Sequence, residues 1–301
     1  MVEFNRVTNC KICQKIGSSI YKRKYTDENI VFFLKEYYGI KKYEIIKNRI
    51  ENFDFNLIKC NSCKFIWQEY SPIKKLSSDL YDSVIDNKKS LEKSELKFKN
   101  NKNKYNKEIN LITKQFKNIK INILDFGAGW GHWLNSGEKT TYSPYAFELS
   151  NMRKEYLLKL GINVIDDKQI KNYYNFFHYI RLDQVLEHLD NLQDSLKLIK
   201  KLAKKECIFY LSVPEGNQIF ENESKIKIEK GPIQPLEHLN CFSRNSLKKL
   251  LFQEGFLNIT FLEIISMHFK SLLRGKISLF LFLKDIGECF FSTSIKFKLK
   301  S

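Results

Sequence analysis

Two patterns in this 301-residue chain have the residue types and spacing to do chemistry. The first is Asp125-Phe126-Gly127-Ala128-Gly129-Trp130-Gly131, at the end of the apolar run Ile121-Asn122-Ile123-Leu124. A strand ends in a carboxylate, and three glycines at alternate positions then open a helix. Glycine lets the backbone turn tightly and lets a ligand approach where a Cβ would stand. The spacing is G-x-G-x-G, not the G-x-G-x-x-G of dinucleotide turns. Asp125 also suits a cationic ligand better than a pyrophosphate. About twenty residues on, a second apolar run ends in Phe147-Glu148-Leu149-Ser150, where Glu148 can accept both hydroxyls of a ribose. Taken singly, the motifs also fit a plain strand–helix loop and a solvated glutamate. Two acids at neighbouring strand ends with glycines between them predict a ligand crevice.

The second pattern is a double pair, Cys10-Lys11-Ile12-Cys13 and Cys60-Asn61-Ser62-Cys63. Paired cysteines in a reducing compartment favour metal over disulfides. Four thiolates at ~2.3 Å in a tetrahedron make a closed structural zinc site, so Cys10, Cys13, Cys60 and Cys63 are the expected Zn2+ ligands. Unpaired core cysteines and a redox pair are the competing readings, and the 46 intervening residues exceed usual ribbon spacing. Cys207, Cys241 and Cys289 stand singly and read as small core hydrophobes.

The elements that must position these residues follow from periodicity. Strands are expected at 121–126, 141–148, 162–165, 176–182, 207–213 and 258–264. Helices are expected at 151–160, closed by Gly161, at 192–203, and from a cap at Ser243 to Glu254. Strand alternating with helix predicts an α/β fold with a doubly wound, mostly parallel sheet. The expected organisation is a cysteine module at 1–72, a helical linker at 73–120, a cofactor domain at 121–265 and an extension at 266–301 that could hold a strand, a helix or a dimer contact. No 20–50-residue repeat, signal peptide or membrane-spanning run is read, so the expected location is cytoplasmic, with no membrane insertion.

Asp125 to Gly131, Glu148 and the run Gln184-Val185-Leu186-Glu187-His188-Leu189 resemble class I S-adenosylmethionine-dependent methyltransferases, with a Rossmann-like sheet. The last run resembles the V-L-E-H segment of members acting on small molecules, quinone precursors and glycan intermediates. Glu237-His238-Leu239-Asn240-Cys241-Phe242-Ser243 is similar to the end of that domain. The likeness covers about 121–265. It implies that Asp125, Gly127, Gly129 and Gly131 line the methionine part of S-adenosylmethionine, that Glu148 holds the ribose, and that Ala128 and Leu149 are also cofactor-binding. It further implies Asp166 or Asp167 near the adenine amine, and Gln184 and Val185 against the cofactor beside the acceptor. The sequence departs from relatives at Phe177-His178, where they often read Phe-Asp. Some quinone O-methyltransferases bind a divalent ion through Glu-x-x-Glu-His at the 184–188 position. Gln184 replaces the first ligand here, and an amide is a poorer ligand than a carboxylate for a hard cation, so a catalytic metal is the disfavoured of two open readings.

The cysteine pairs resemble the zinc module of sugar C-methyltransferases, and also the ribbon of a ribosomal-RNA guanine methyltransferase. The net charge of +17 fits the second reading. However, 44 of the 51 basic residues are lysine rather than the arginine that specific nucleic-acid sites favour, and no Asn/Asp-Pro-Pro-Tyr loop follows the fourth strand. The expected function is therefore methylation, at oxygen or carbon, of a small hydroxylated acceptor such as a sugar or nucleotide-sugar. RNA methylation is the alternative, and a binding module without catalysis is a third reading that the intact cofactor motifs oppose. His238 and His188 are the expected general bases.

Overall fold

The computed structural model describes residues 3–116, 119–222, 226–229, 231–258 and 294–299. In chain order these form β1 (Phe4–Arg6), β2 (Gly17–Lys24), α1 (Glu28–Tyr38), α2 (Ile40–Ile50), β3 (Asp54–Cys60), β4 (Ile66–Gln68), β5 (Tyr70–Pro72) and α3 (Lys74–Asp79). A π-helical turn, Leu80–Val84, leads to the long α4 (Asn87–Gln115). There follow β6 (Ile121–Phe126), β7 (Tyr142–Phe147), α5 (Asn151–Lys159), β8 (Asn163–Ile165) and β9 (Phe177–Asp183). The last described elements are α6 (Leu192–Leu202), β10 (Ala203–Ser212), α7 (Asn217–Glu221), β11 (Asn240–Cys241), α8 (Arg244–Gln253), β12 (Phe256–Asn258) and β13 (Ser294–Leu299).

The main sheet has the order β12-β13-β10-β9-β6-β7-β8. Its five central and outer strands β8, β7, β6, β9 and β10 are parallel, and β13 enters antiparallel to β10. The winding reverses between β6 and β9. At such a switch point the strand ends diverge and leave a crevice for ligand. The doubly wound α/β architecture expected from alternation is therefore present. The expected strand 258–264 begins at Phe256, and its residues after 258 lie outside the described ones, as does Cys289.

Strand pairing crosses two of the expected boundaries. β13 completes the main sheet from residues 294–299, within the stretch set apart as an extension. In the cysteine-bearing sheet, order β11-β4-β3-β2, the edge strand is 240–241 from the far end of the chain. Burial follows the same path. One cluster joins Cys10, Cys60, Phe65 and Trp67 to Leu124, Val185, Leu186 and Phe242.

A helix expected after the glycines does not form; residues 132–137 are turns and bends. The chain must return along β6, about 20 Å at ~3.3 Å per residue. Ten helical residues rise only ~15 Å, so the segment between Gly131 and Tyr142 stays open. α4 closes over it instead: Asn106 donates to the Ser136 carbonyl at 3.0 Å and Trp133 Nε1 donates to Glu108 at 3.2 Å. Elsewhere the local signals hold. Ser243 caps α8 through a reciprocal box with Ser246, and Gly255 ends it at φ +79°.

Candidate active site and cysteine cluster

The glycine turn sits at the carboxyl end of β6 with Gly127, Gly129 and Gly131 all at positive φ. A Cβ on Gly127 would stand 2.7 Å from Val185 Cγ2, and one on Gly131 would strike Leu157. Those two glycines let the turn lie flat on its neighbours. Gly129 differs. No atom lies within 4 Å of where its Cβ would be, while φ is +57°, so its face opens on the crevice.

Glu148 is buried at the end of β7 and holds this turn. Its Oε2 accepts the Gly129 N–H at 2.9 Å, and Oε1 accepts those of Leu149 and Ser150 at 2.8 and 3.0 Å. Arg153 approaches Oε2 at 3.9 Å. Ser150 Oγ and Arg153 Nε are buried without a partner, and Leu149 is 56% exposed beside them. This is an acidic, polar and partly apolar cradle, which fits a ribose and a flat base. Ala128 is half-buried in the turn, its N–H on the Phe147 carbonyl at 3.3 Å. Asp166 caps a 3-10 turn at the exit of β8, exposed, as is Asp167. A cavity of about 590 Å³ opens beyond Trp130, lined by Asn87, Leu91, Met152 and Tyr156 among others.

Asp125, the carboxylate expected to line the methionine part of the cofactor, lies one residue before the end of β6. It is 1% exposed and paired with Arg181 Nη1 at 3.0 and 3.2 Å. Arg181, on β9, also pairs with Asp183 and stacks over Trp133 with its carbon 4.6 Å from the ring centroid. Burial pushes the Asp125 carboxyl up to about 6, against the pull of Arg181. Burial opposes the guanidinium charge too, but Asp125 and Asp183 hold it firmly protonated. The signal for Arg181 was present in the sequence: a lone arginine amid the apolar residues of Phe177–Asp183.

At the carboxyl end of β9, Gln184 takes φ +59°. Its backbone N–H donates to the Ser212 carbonyl at 2.8 Å, and its Nε2 to Ser212 Oγ at 3.2 Å. Backbone strain of this kind concentrates where a loop must be aimed. Val185 then packs under Gly127 and the chain enters a 3-10 turn, Leu186–His188.

His188 and His238 are brought together, their rings 4.8 Å apart and nearly perpendicular. His188 Nδ1 lies 3.0 Å from the Glu237 carbonyl and 3.2 Å from Tyr81 Oη. An N–H on Nδ1 would donate to that carbonyl and leave Nε2 as the basic nitrogen. Burial, with His238 beside it, pushes the His188 pKa down to about 3, so the ring is neutral. Glu187 is 1% exposed, and neither carboxyl oxygen has a hydrogen-bond partner. Burial raises its pKa to about 8. Glu237 Oε1 accepts from Tyr38 Oη at 2.6 Å and from Gln234 Nε2 at 3.0 Å. Tyr38 and Tyr81 were not singled out from sequence, and Glu187 and Glu237 figured there only within the quoted runs. The tyrosines come from the first 81 residues, and nothing local links them to a loop near residue 237.

The four cysteines converge in two matching turns. Sγ–Sγ separations are 3.4 Å (Cys10–Cys63), 3.5 Å (Cys13–Cys60) and 3.6 Å (Cys13–Cys63). A disulfide needs about 2.05 Å, whereas a tetrahedron of ~2.3 Å Zn–S bonds has edges near 3.8 Å. Each turn closes alike, Cys10 N–H to the Lys15 carbonyl and Cys60 N–H to the Phe65 carbonyl. Ile12 and Cys63 N–H groups point at the Cys10 and Cys60 sulfurs at 3.4 and 3.3 Å. Such donors suit thiolates, and the donor set fits Zn2+.

Comparison with known proteins places these features. A family model described as a methyltransferase domain matches residues 95–260. Among solved structures, the plantazolicin methyltransferase BpumL, in complex with SAH, aligns over 76% of this chain and 95% of its own at 16% identity and TM-score 0.47. A SAM-dependent methyltransferase from Thermotoga maritima aligns over 56% and 77% at 16% identity and TM-score 0.38. One from Aquifex aeolicus aligns over 62% and 87% at 21% identity and TM-score 0.35. No curated protein matches. Among the described residues, no helix is long and apolar enough to cross a membrane.

Proposed function

The chain belongs to the methyltransferase-domain family, which spans more than half of it, and from that premise we propose that it methylates a small hydroxylated acceptor, a sugar or nucleotide-sugar, at oxygen or carbon. It is an S-adenosylmethionine-dependent methyltransferase; the acceptor class, the residue roles and the zinc are our reading.

The observation that carries the reading is the group of hydrogen-bonding side chains around His188 and His238, namely Tyr38, Tyr81, Glu187 and Glu237. A polyhydroxylated acceptor needs many donors and acceptors in a small space, and a buried, unpartnered carboxyl such as Glu187 is strongly favoured to find a hydroxyl. Cofactor binding is assigned to Asp125, Gly127, Ala128, Gly129, Gly131, Glu148, Leu149, Asp166, Gln184 and Val185. S-adenosylmethionine supplies the electrophilic methyl. Glu148 would exchange its bond to the Gly129 N–H for the ribose hydroxyls. The Arg181 pair would keep Asp125 fixed under the turn. His238, or His188, would take the acceptor's proton as the methyl moves, an effect typically worth ~10²- to 10⁴-fold. Cys10, Cys13, Cys60 and Cys63 would hold Zn2+ as a structural ion with no open position for substrate.

The test is turnover on a panel of nucleotide-sugars and free sugars against structured RNA. Methyl transfer to a sugar-bearing acceptor, lost in His238→Ala, supports the reading. Turnover on RNA alone, with binding that persists at physiological salt despite counterion release, would reverse it.

A further inference from the structure

The loops carrying His188 and His238 are held by two carboxamides of the cysteine-bearing sheet. Gln68 ends β4. Its Nε2 donates to the carbonyls of Gln234 and His238, each at 2.9 Å, and its backbone N–H donates to Leu239 at 3.0 Å. Asn240 begins β11. Its Nδ2 donates to the carbonyls of Leu186 and Leu189 at 2.8 and 2.7 Å, the residues that bracket Glu187 and His188. Both side chains are 1% exposed. A carboxamide nitrogen has two donors, and each of these uses both on the backbone of one histidine loop.

The two amides are neighbours in the sheet, since Asn240 pairs with Trp67, the residue before Gln68. In both, the amide oxygen is buried without a partner. Burying a polar group with half its bonds unmade is unfavourable, so simple packing does not account for a Gln and an Asn here. The donor pairs do. The same sheet runs back to the cysteines: β4 starts three residues after Cys63, and Lys11, inside the first cysteine turn, reaches Asp190 at 3.5 Å, just beyond the His188 turn.

We propose that Gln68 and Asn240 are positioning residues, a pair of amide braces that set His188 and His238 against each other and make the cysteine-bearing sheet part of the methyl-transfer centre. The catalytic part of this rests on the reading of the two histidines given above; the brace itself does not.

The experiment is imidazole and side-chain-amide NMR on the full chain, with steady-state kinetics. In the wild type, the Gln68 and Asn240 amide protons should exchange slowly. Gln68→Met and Asn240→Leu keep the approximate shape and remove the donors. Each should bind S-adenosylhomocysteine within a few-fold of wild type, shift the His188 and His238 ring resonances, and lower kcat by ~10²-fold, the scale of a 1 Å misplacement, with the cofactor KM unchanged. Water entering among His238, Glu187, Tyr81 and Arg153 should also raise the His188 ionisation toward its ordinary 6.5. Variants that bind S-adenosylhomocysteine yet leave both rings and kcat unchanged would overturn the proposal. So would rapid exchange of the wild-type amide protons, a result independent of whether the variants fold. Shifted rings, together with full turnover in both His→Ala variants, would uphold the brace and remove the histidines as bases.

Discussion

At the residue scale, the crevice depends on two carboxyls in different electrostatic situations. Glu148 accepts three backbone N–H groups, that of Gly129 among them, so a carboxylate introduced at Gly129 would add a second negative charge beside it. Gly129→Asp should therefore abolish S-adenosylhomocysteine binding, combining strain at φ +57°, a blocked path and like-charge repulsion. Calorimetry showing wild-type affinity in that variant would remove Gly129 from the site. Glu187 is buried and raised from 4.5 to about 8, so the folded state binds its proton more tightly than the unfolded chain does. Its contribution to stability is complete below about 4.5 and is lost as pH rises through 8. His188, lowered from 6.5 to about 3, works oppositely: its contribution is present above 6.5 and is lost as pH falls toward 3. Glu187→Gln should remove only the first slope. Thermal melts should show the variant gaining on wild type from pH 5 to 9, by on the order of a few kcal/mol. A constant difference across that range would mean that Glu187 is ionised or solvated in the fold.

Single elements were largely legible because their signals are local. Alternating apolar runs marked β6, β7 and β9, and Ser243 and Gly255 marked the ends of α8. The Gly127–Gly131 turn and Glu148 were legible because both sit beside strand ends in sequence as well as in space. The missing helix after Gly131 was not legible, since it depends on how far the chain must travel back along β6. Tyr38 and Tyr81 were missed for a related reason: their partners lie 199 and 107 residues away. The cysteine turns bring their sulfurs to separations of 3.4, 3.5 and 3.6 Å, so they should depend on the ion assigned to them. About one Zn2+ per chain is expected by elemental analysis, falling to none in Cys60→Ser plus Cys63→Ser. An unchanged metal content in that double variant would end the assignment.

At the scale of the whole molecule, the cysteine-bearing sheet and the cofactor sheet are joined in ways that a module ending at 72 would not require. β11 leaves the cofactor half to become the edge of the β2-β3-β4 sheet, Tyr38 and Tyr81 enter the histidine site, and one apolar cluster runs from Cys10 to Phe256. Two domains with separate cores can unfold one at a time. When a strand pair and buried side chains are shared, opening either half exposes apolar surface of the other, and the populated partly unfolded state disappears. The full chain should therefore melt in a single calorimetric transition, with tryptophan signals from Trp67 and from Trp130 and Trp133 following the same curve. If the four cysteines hold Zn2+ as proposed, its removal should shift that transition down as a whole. S-adenosylhomocysteine, which binds only the folded state, should shift it up by an amount set by ligand concentration over Kd. It should do so even when Trp67 alone is followed, although Trp67 lies in the other sheet. Two transitions, with only the later one moved by S-adenosylhomocysteine, would show that the halves fold independently and that the β4–β11 pairing contributes little to stability.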